Sequence, residues 1–135
     1  MSEYVLVNCE YNDPGCIKAS LKELGYEYEE HTEAKGLVGY EGRVRKQKAN
    51  IIVRKKYVGS AANDVGFKRK PNGEYELIIS EYDSRKGSKS ATNFLEELKQ
   101  IYAKHKNLKQ LKKLGTTISS VKKTTDGRIK IKVIV

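Results

Sequence analysis

Apolar positions along the chain switch between strand and helix periods. Tyr4-Val5-Leu6-Val7-Asn8-Cys9 is a β-branched and aromatic run that predicts a first strand. Asn12-Asp13-Pro14-Gly15 ends it, and Asp13 before Pro14 predicts a helix N-cap with proline at the first helical position. Ile17, Leu21 and Leu24 recur at helical spacing and Gly25 is the expected terminator, so 14–24 is a helix with one apolar stripe. Tyr26-Glu27-Tyr28-Glu29 alternates like a strand with one wet face. Leu37-Val38-Gly39-Tyr40 and Ala49-Asn50-Ile51-Ile52-Val53-Arg54 predict two more strands. Val65-Gly66-Phe67-Lys68 and Tyr75-Glu76-Leu77-Ile78-Ile79 flank Lys70-Pro71-Asn72-Gly73, and Asn-Gly between two strand patterns predicts a hairpin.

A second helix is expected from about Ser90, its N-cap, with Phe94, Leu95, Leu98, Ile101 and Tyr102 on one face. Leu108, Leu111 and Leu114 make a stripe that points about the opposite way at 100° per residue. A single straight helix would expose one stripe, so a break near His105-Lys106-Asn107 is expected, with a third helix ending at Gly115. Lys106, Lys109 and Lys113 then lie together, opposite the leucines. Thr117 to Lys122, the Asp126-Gly127 turn and the Ile129-Ile131-Val133 alternation predict a last hairpin. The order β-α-β-β-β-β-β-α-α-β-β predicts an α+β fold. It would have an antiparallel or mixed sheet, helices on one face and two related, ferredoxin-like halves. Lys55 to Asn63 and Asp83 to Ser90 are expected as mobile loops.

Length fits this as one domain over 1–135. No apolar run reaches the ~20 residues of a membrane helix. Met1-Ser2-Glu3-Tyr4 has neither the basic start nor the apolar stretch of a signal peptide, so a cytoplasmic protein is expected.

Charge changes the picture most. There are 27 Lys+Arg against 17 Asp+Glu, a net +10. Residues 1–35 carry −5, residues 36–60 carry +6, residues 61–83 carry −2 and residues 84–135 carry +11. A solvated, Lys-rich surface of the thermophile kind would be nearly balanced in Lys and Glu. The imbalance points instead to an anionic partner.

Three groups of short motifs, in this order along the chain, carry a family resemblance. The first is Leu21-Lys22-Glu23-Leu24-Gly25-Tyr26, Gly39-Tyr40-Glu41-Gly42 and Ala49-Asn50-Ile51-Ile52-Val53-Arg54. Asp64-Val65-Gly66-Phe67 and Gly73-Glu74-Tyr75-Glu76-Leu77 follow. Phe94-Leu95-Glu96-Glu97-Leu98-Lys99-Gln100-Ile101-Tyr102-Ala103 and Asp126-Gly127-Arg128-Ile129 complete the series. From Leu21 onward the chain resembles the hypothetical-chloroplast-reading-frame family of domains of unknown function, found in red-algal plastids, cyanobacteria and some archaea. The resemblance implies a small α+β domain and carries over no functional residue. Where that family has Trp-Gly after the strand matching Tyr75 to Ser80, this chain has Glu81-Tyr82-Asp83-Ser84-Arg85-Lys86-Gly87 and no tryptophan.

Catalytic patterns are missing. Cys9 and Cys16 are the only cysteines. Free buried thiols are the expectation, a disulfide or a zinc site the alternatives; Cys16, at a helix N-terminus, is a candidate for a lowered pKa. His31 among Glu29, Glu30 and Glu33 reads as a solvated polar residue, and His105 as a neighbour of solvent or phosphate. Gly36-x-x-Gly39-x-x-Gly42 lacks the Lys-Ser/Thr of a phosphate loop and reads as strand-edge bulges or turns. Val65-Gly66-Phe67-Lys68 lacks the second aromatic of an RNA-recognition motif. No enzyme activity, cofactor, metal or small-molecule substrate is expected.

The basic clusters carry more. Arg43, Arg45, Lys46 and Lys48 form one, with Arg43 and Arg45 expected on one strand face, where guanidinium groups fork onto phosphate. Arg54, Lys55, Lys56 and Tyr57 form a second, Lys68-Arg69-Lys70 crowns the Asn-Gly hairpin, and Arg85, Lys86 and Lys89 line a loop. Tyr40, Tyr57 and Tyr82 lie nearby, for strand packing or for stacking on unpaired bases. The residues the sequence singles out are Arg43, Arg45, Lys46, Lys48, Arg54, Lys55, Lys68, Arg69, Lys70, Lys106, Lys109 and Lys113. The expectation is a non-catalytic RNA-binding protein, associated with the ribosome or another ribonucleoprotein through phosphate contacts. The alternative is an adaptor for an acidic protein such as an ATPase, with the acidic first segment as its opposite pole.

Overall fold

Asp13 and Pro14 open the first helix as the sequence predicts. The Asp13 carboxylate accepts from the Cys16 N–H at 3.1 Å, and Gly25 closes the helix in the left-handed region at φ 81°. This helix is α1 (Pro14–Leu24) in the computed structural model, which describes residues 4–7, 11–39, 41–59, 62–80, 83, 88–115, 117–125 and 129–134. Five strands make the main sheet: β1 (Tyr4–Val7), β2 (Glu29–Val38), β3 (Val44–Val53), β4 (Val65–Arg69) and β5 (Tyr75–Ser80). Their spatial order is β1-β5-β4-β3-β2, and every pair is antiparallel. A short helix, α2 (Lys55–Val58), links β3 to β4, and a long one, α3 (Lys89–Lys113), follows β5. The chain continues into a separate two-stranded sheet, β6 (Thr117–Lys123) with β7 (Ile129–Ile134). Among the described residues no helix is long and apolar enough to cross a membrane.

Helices α1 and α3 cover one face of the main sheet. Ile17, Leu21, Phe94, Leu98 and Tyr102 from the helices bury against Ile51, Val53, Val65, Phe67, Leu77 and Ile79. Tyr11 wedges edge-on against Phe67 and Tyr102, and Tyr26 against Phe94 at 4.6 Å between ring centroids. Such aromatic pairs add to the area they remove from water. Polar clasps then join the helices. The buried Tyr102 hydroxyl accepts from the Asp13 N–H and donates to Asn12 Oδ1. Lys104 and His105 meet Glu23, and Lys109 meets Asp13.

The opposite face is closed by the sheet itself. Leu37, Ala49, Ile52 and Ile78 form a second buried cluster there. Register shifts between Glu30 and Lys35, and again between Gly36 and Val38, let β2 coil over this face. Its far end reaches the residue before β4, where the Asp64 N–H donates to the Val38 carbonyl. Gly66 lies beneath this coil. A Cβ there would stand 2.5 Å from the Ala49 Cβ and 2.9 Å from Leu37 Cδ2.

Several expectations change. Tyr26–Tyr28 is not strand, and the two short strands expected around Glu29 and Leu37 are one strand, β2. Asn50 holds the stretch between them by donating to the His31 and Thr32 carbonyls. Arg43 and Arg45 do not share a strand face. Arg43 lies in the turn before β3, whereas Arg45 lies over Gly39 and pairs with Glu41. Ser88, not Ser90, caps α3 through the Ala91 N–H. Helix α3 does not break at 105–107. The β6–β7 hairpin supplies a second apolar surface beside it, so Leu108 and Leu111 are half-buried while Leu114 stays 70% exposed. The Lys55 to Asn63 stretch is partly α2, with Val58, Ala62 and Asn63 buried. The two ferredoxin-like halves are not separate units, because β4 and β5 lie between β3 and β1. The Asn-Gly hairpin forms as expected, with Gly73 N–H on the Lys70 carbonyl. The Asp126-Gly127 turn, Cys9, Tyr40, Tyr82, Arg85 and Lys86 lie outside the described residues.

Gly66→Ala puts a methyl where Ala49 and Leu37 already are. It should lower unfolding free energy by about 1–3 kcal/mol, measured by urea denaturation, with an unchanged denaturant slope.

Candidate nucleic-acid interface

Asp64 organises the region between β2, β3 and β4. Its side chain is 1% exposed, and its carboxylate accepts three bonds. The Lys55 N–H gives one at 2.7 Å, the Val38 N–H one at 2.8 Å and Arg54 Nη1 one at 2.8 Å. Arg54 forks onto Glu29 with its other nitrogens at 2.7 and 2.8 Å, and Nη1 also reaches the Gly36 carbonyl. His31 Nε2 shares Glu29 Oε1 at 2.8 Å. One guanidinium therefore ties both ends of β2 to the end of β3 and the start of β4. Arg54 holds the Glu29 carboxyl down to about 2, against the opposing effect of partial burial. The Arg54 guanidinium is itself pushed further toward its charged form by Glu29 and Asp64.

A cleft of about 510 Å³ opens beside this knot, between Val38 and Val44, with Lys35, Lys55 and Lys56 along it. The Lys55 ammonium donates to the Gly39 carbonyl at 2.9 Å. The Val44 side chain is 67% exposed in the cleft. Lys46 and Lys48 follow Val44 on the same face of β3, exposed while Arg45, Gln47 and Ala49 turn inward. Lysines from β2 and α2 thus line one cleft, and Lys46 and Lys48 lie on the face of β3 that carries Val44. A smaller recess of about 210 Å³, lined by Glu27, Tyr28 and Tyr57, shares Arg54 and Lys56 with the cleft. Lys56 Nζ stands 4.8 Å from the Tyr57 ring centroid, a cation–π distance.

The twelve residues singled out by the sequence divide. Arg54 is committed to Glu29 and Asp64, Arg45 to Glu41, and Lys109 to Asp13. Lys106 donates to Asn12, and Lys70 is 3.3 Å from Glu76. Arg69 donates to the Thr32 carbonyl. The Lys68 backbone pairs with that of Glu76 across the hairpin. Arg43, Lys46, Lys48 and Lys113 are exposed, and Lys55 lies in the cleft. Lys35 and Lys56 stand outside the twelve. Lys56 adjoins a basic run, but Lys35 sits between Ala34 and Gly36 with no charge pattern, and only the folding of β2 onto β3 brings it to the cleft.

Other candidates resolve simply. Cys16 is a free buried thiol whose pKa burial raises, the reverse of activation at the helix N-terminus. Among the described residues no group of His, Cys, Asp and Glu is placed to hold a metal ion. Phe67 lies in the core, not on a binding face.

Fold and site together define a basic α+β domain with a lysine-lined cleft on a coiled antiparallel sheet. Residues 20–132 match the family model described as "Protein of unknown function (DUF1257)", and the chain belongs to that family. No curated protein and no solved structure matches it.

The lowered Glu29 carboxyl sets the sign of an acid effect. Its contribution to stability is full above the ordinary value of 4.5 and is lost as pH falls toward about 2. Glu29→Gln should flatten the fall of the urea midpoint between pH 4.5 and 2 relative to the parent. Equal slopes in that window would contradict the ion-pair assignment.

Proposed function

We propose that this protein binds structured RNA, as a ribosome-associated or other ribonucleoprotein component in the cytoplasm. It acts by neutralising phosphates, without base readout or catalysis. The observation that carries this reading is the convergence of Lys35, Lys55 and Lys56 on one cleft, with Lys46 and Lys48 on the adjoining strand face. The carboxylate that lines the cleft, Asp64, is buried and paired with Arg54. Point-charge donors along an open cleft suit a phosphate backbone, which gives affinity without sequence information. The acidic N-terminal segment gives little support to the adaptor alternative, since Asp13, Glu23, Glu29 and Glu30 each meet a cation of this chain. The resemblance to the hypothetical-chloroplast-reading-frame domains supports reading the family as that one, with plastid, cyanobacterial and archaeal members.

A titration of the full chain against a labelled RNA stem-loop at several salt concentrations tests the proposal. Affinity should fall steeply with salt, and Lys35→Gln/Lys55→Gln/Lys56→Gln should lower the log–log slope by about 2–3. Lys106→Gln should leave the slope unchanged. Salt-independent binding, or capture of one acidic protein that survives nuclease treatment while RNA binding is absent, would refute it.

A further inference from the structure

The terminal hairpin carries an arrangement that works against its own stability. In the register of β6 and β7, Lys122 lies directly opposite Lys130, and Ser120 opposite Lys132. The alternate pairs, Val121 with Ile131 and Lys123 with Ile129, take the other face. That apolar face turns toward α3, where Ile118 and Leu108 line one cleft. Lys122, Lys130 and Lys132 are exposed, and no ion pair joins them to a described residue. Like charges directly opposite destabilise a strand pair, and a two-stranded ribbon is marginal to begin with.

The charge surplus of the whole chain collects in its C-terminal part. Residues 1–97 hold sixteen basic and sixteen acidic residues, whereas 98–135 hold eleven basic and one acidic. Three of those eleven, Lys104, Lys106 and Lys109, are engaged by Glu23, Asn12 and Asp13 in and just before α1. The rest of the described surplus lies on the hairpin, at Lys99 and at the end of α3.

We propose that the lysine face of the β6–β7 hairpin is a second RNA-phosphate surface, in addition to the cleft. This rests on the RNA reading above. A polyanion relieves the Lys122–Lys130 repulsion, which no carboxylate among the described residues relieves. RNA is favoured over a protein partner because the described side chains on this face, Ser120, Lys122, Lys130 and Lys132, are lysine and serine. Protein interfaces centre on aromatic and apolar anchors and are depleted of lysine.

The experiment uses the full chain and the same RNA stem-loop. Lys130→Glu replaces a like-charge pair with an opposite-charge pair across from Lys122. It should raise the thermal midpoint by about 1–4 °C and weaken RNA binding about tenfold at 0.1 M salt. Lys132→Glu, opposite Ser120, should repeat the binding loss without the gain in stability. Unchanged RNA affinity in both variants, with the cleft triple variant still weakened, overturns this inference and leaves the cleft reading standing. A parent chain that binds no RNA overturns both. A parent chain that binds polyglutamate and not the stem-loop also overturns both, and assigns the hairpin to an acidic protein. A lowered midpoint with lost binding in Lys130→Glu makes the lysine structural and overturns the proposal.

Discussion

The buried carboxylate of Asp64 is the constraint on which the sheet depends. A charge in that position is tolerable only when its hydrogen bonds are filled. Here two backbone N–H groups and one guanidinium fill them. Two of these donors, Val38 at the end of β2 and Arg54 just after β3, come from neighbouring strand ends, so satisfying the carboxylate also fixes where the end of β2 meets the end of β3. Arg54 extends the tie to Glu29 at the other end of β2. The coil of β2 over Gly66, the closure of the Leu37 cluster and the position of Lys35 at the cleft all follow from that placement.

The basic residues of this chain therefore have two distinct fates. One set balances the chain's own carboxylates: Arg54 at the knot, Lys104 and Lys109 across the α1–α3 seam, Lys18 on Glu30. Exposed pairs such as Lys18–Glu30 add little stability individually, but they remove charge from the surface an anion would meet. The second set lies on the cleft, the outer face of β3 and the terminal hairpin. Net charge alone does not separate the sets; the partner of each cation does. The acidic first segment and the basic α3 segment, which look like two poles along the sequence, meet in space where Glu23 pairs with Lys104 and Asp13 with Lys109.

Local chemistry was legible. Asp13, Pro14 and Gly25 fix α1 within one turn of chain each, and Asn72-Gly73 fixes its hairpin, so both appear where the residues place them. Elements that depend on distant partners were not. The polar stretch His31–Gly36 has no strand alternation and extends because Asn50 and β3 hold it. Helix α3 continues past His105 because a hairpin later in the chain covers its second apolar stripe. The site follows the same rule. The lysines could be named from the sequence, but the partners that withdraw Arg54 and Lys109 are 25 and 96 residues away. Nothing near Lys35 in the chain marks it as part of a cleft.

On the RNA reading proposed here, the two sets of cations act separately, one holding the fold and the other facing the phosphates. An amide-resolved NMR titration of the isotope-labelled full chain with an RNA stem-loop tests it most directly. Saturable shifts are expected at Lys35, Lys46, Lys48, Lys55 and Lys56, with Glu23, Lys104 and Lys109 unmoved. Shifts centred on the α1–α3 seam, or none at the cleft lysines while RNA binds, would contradict it.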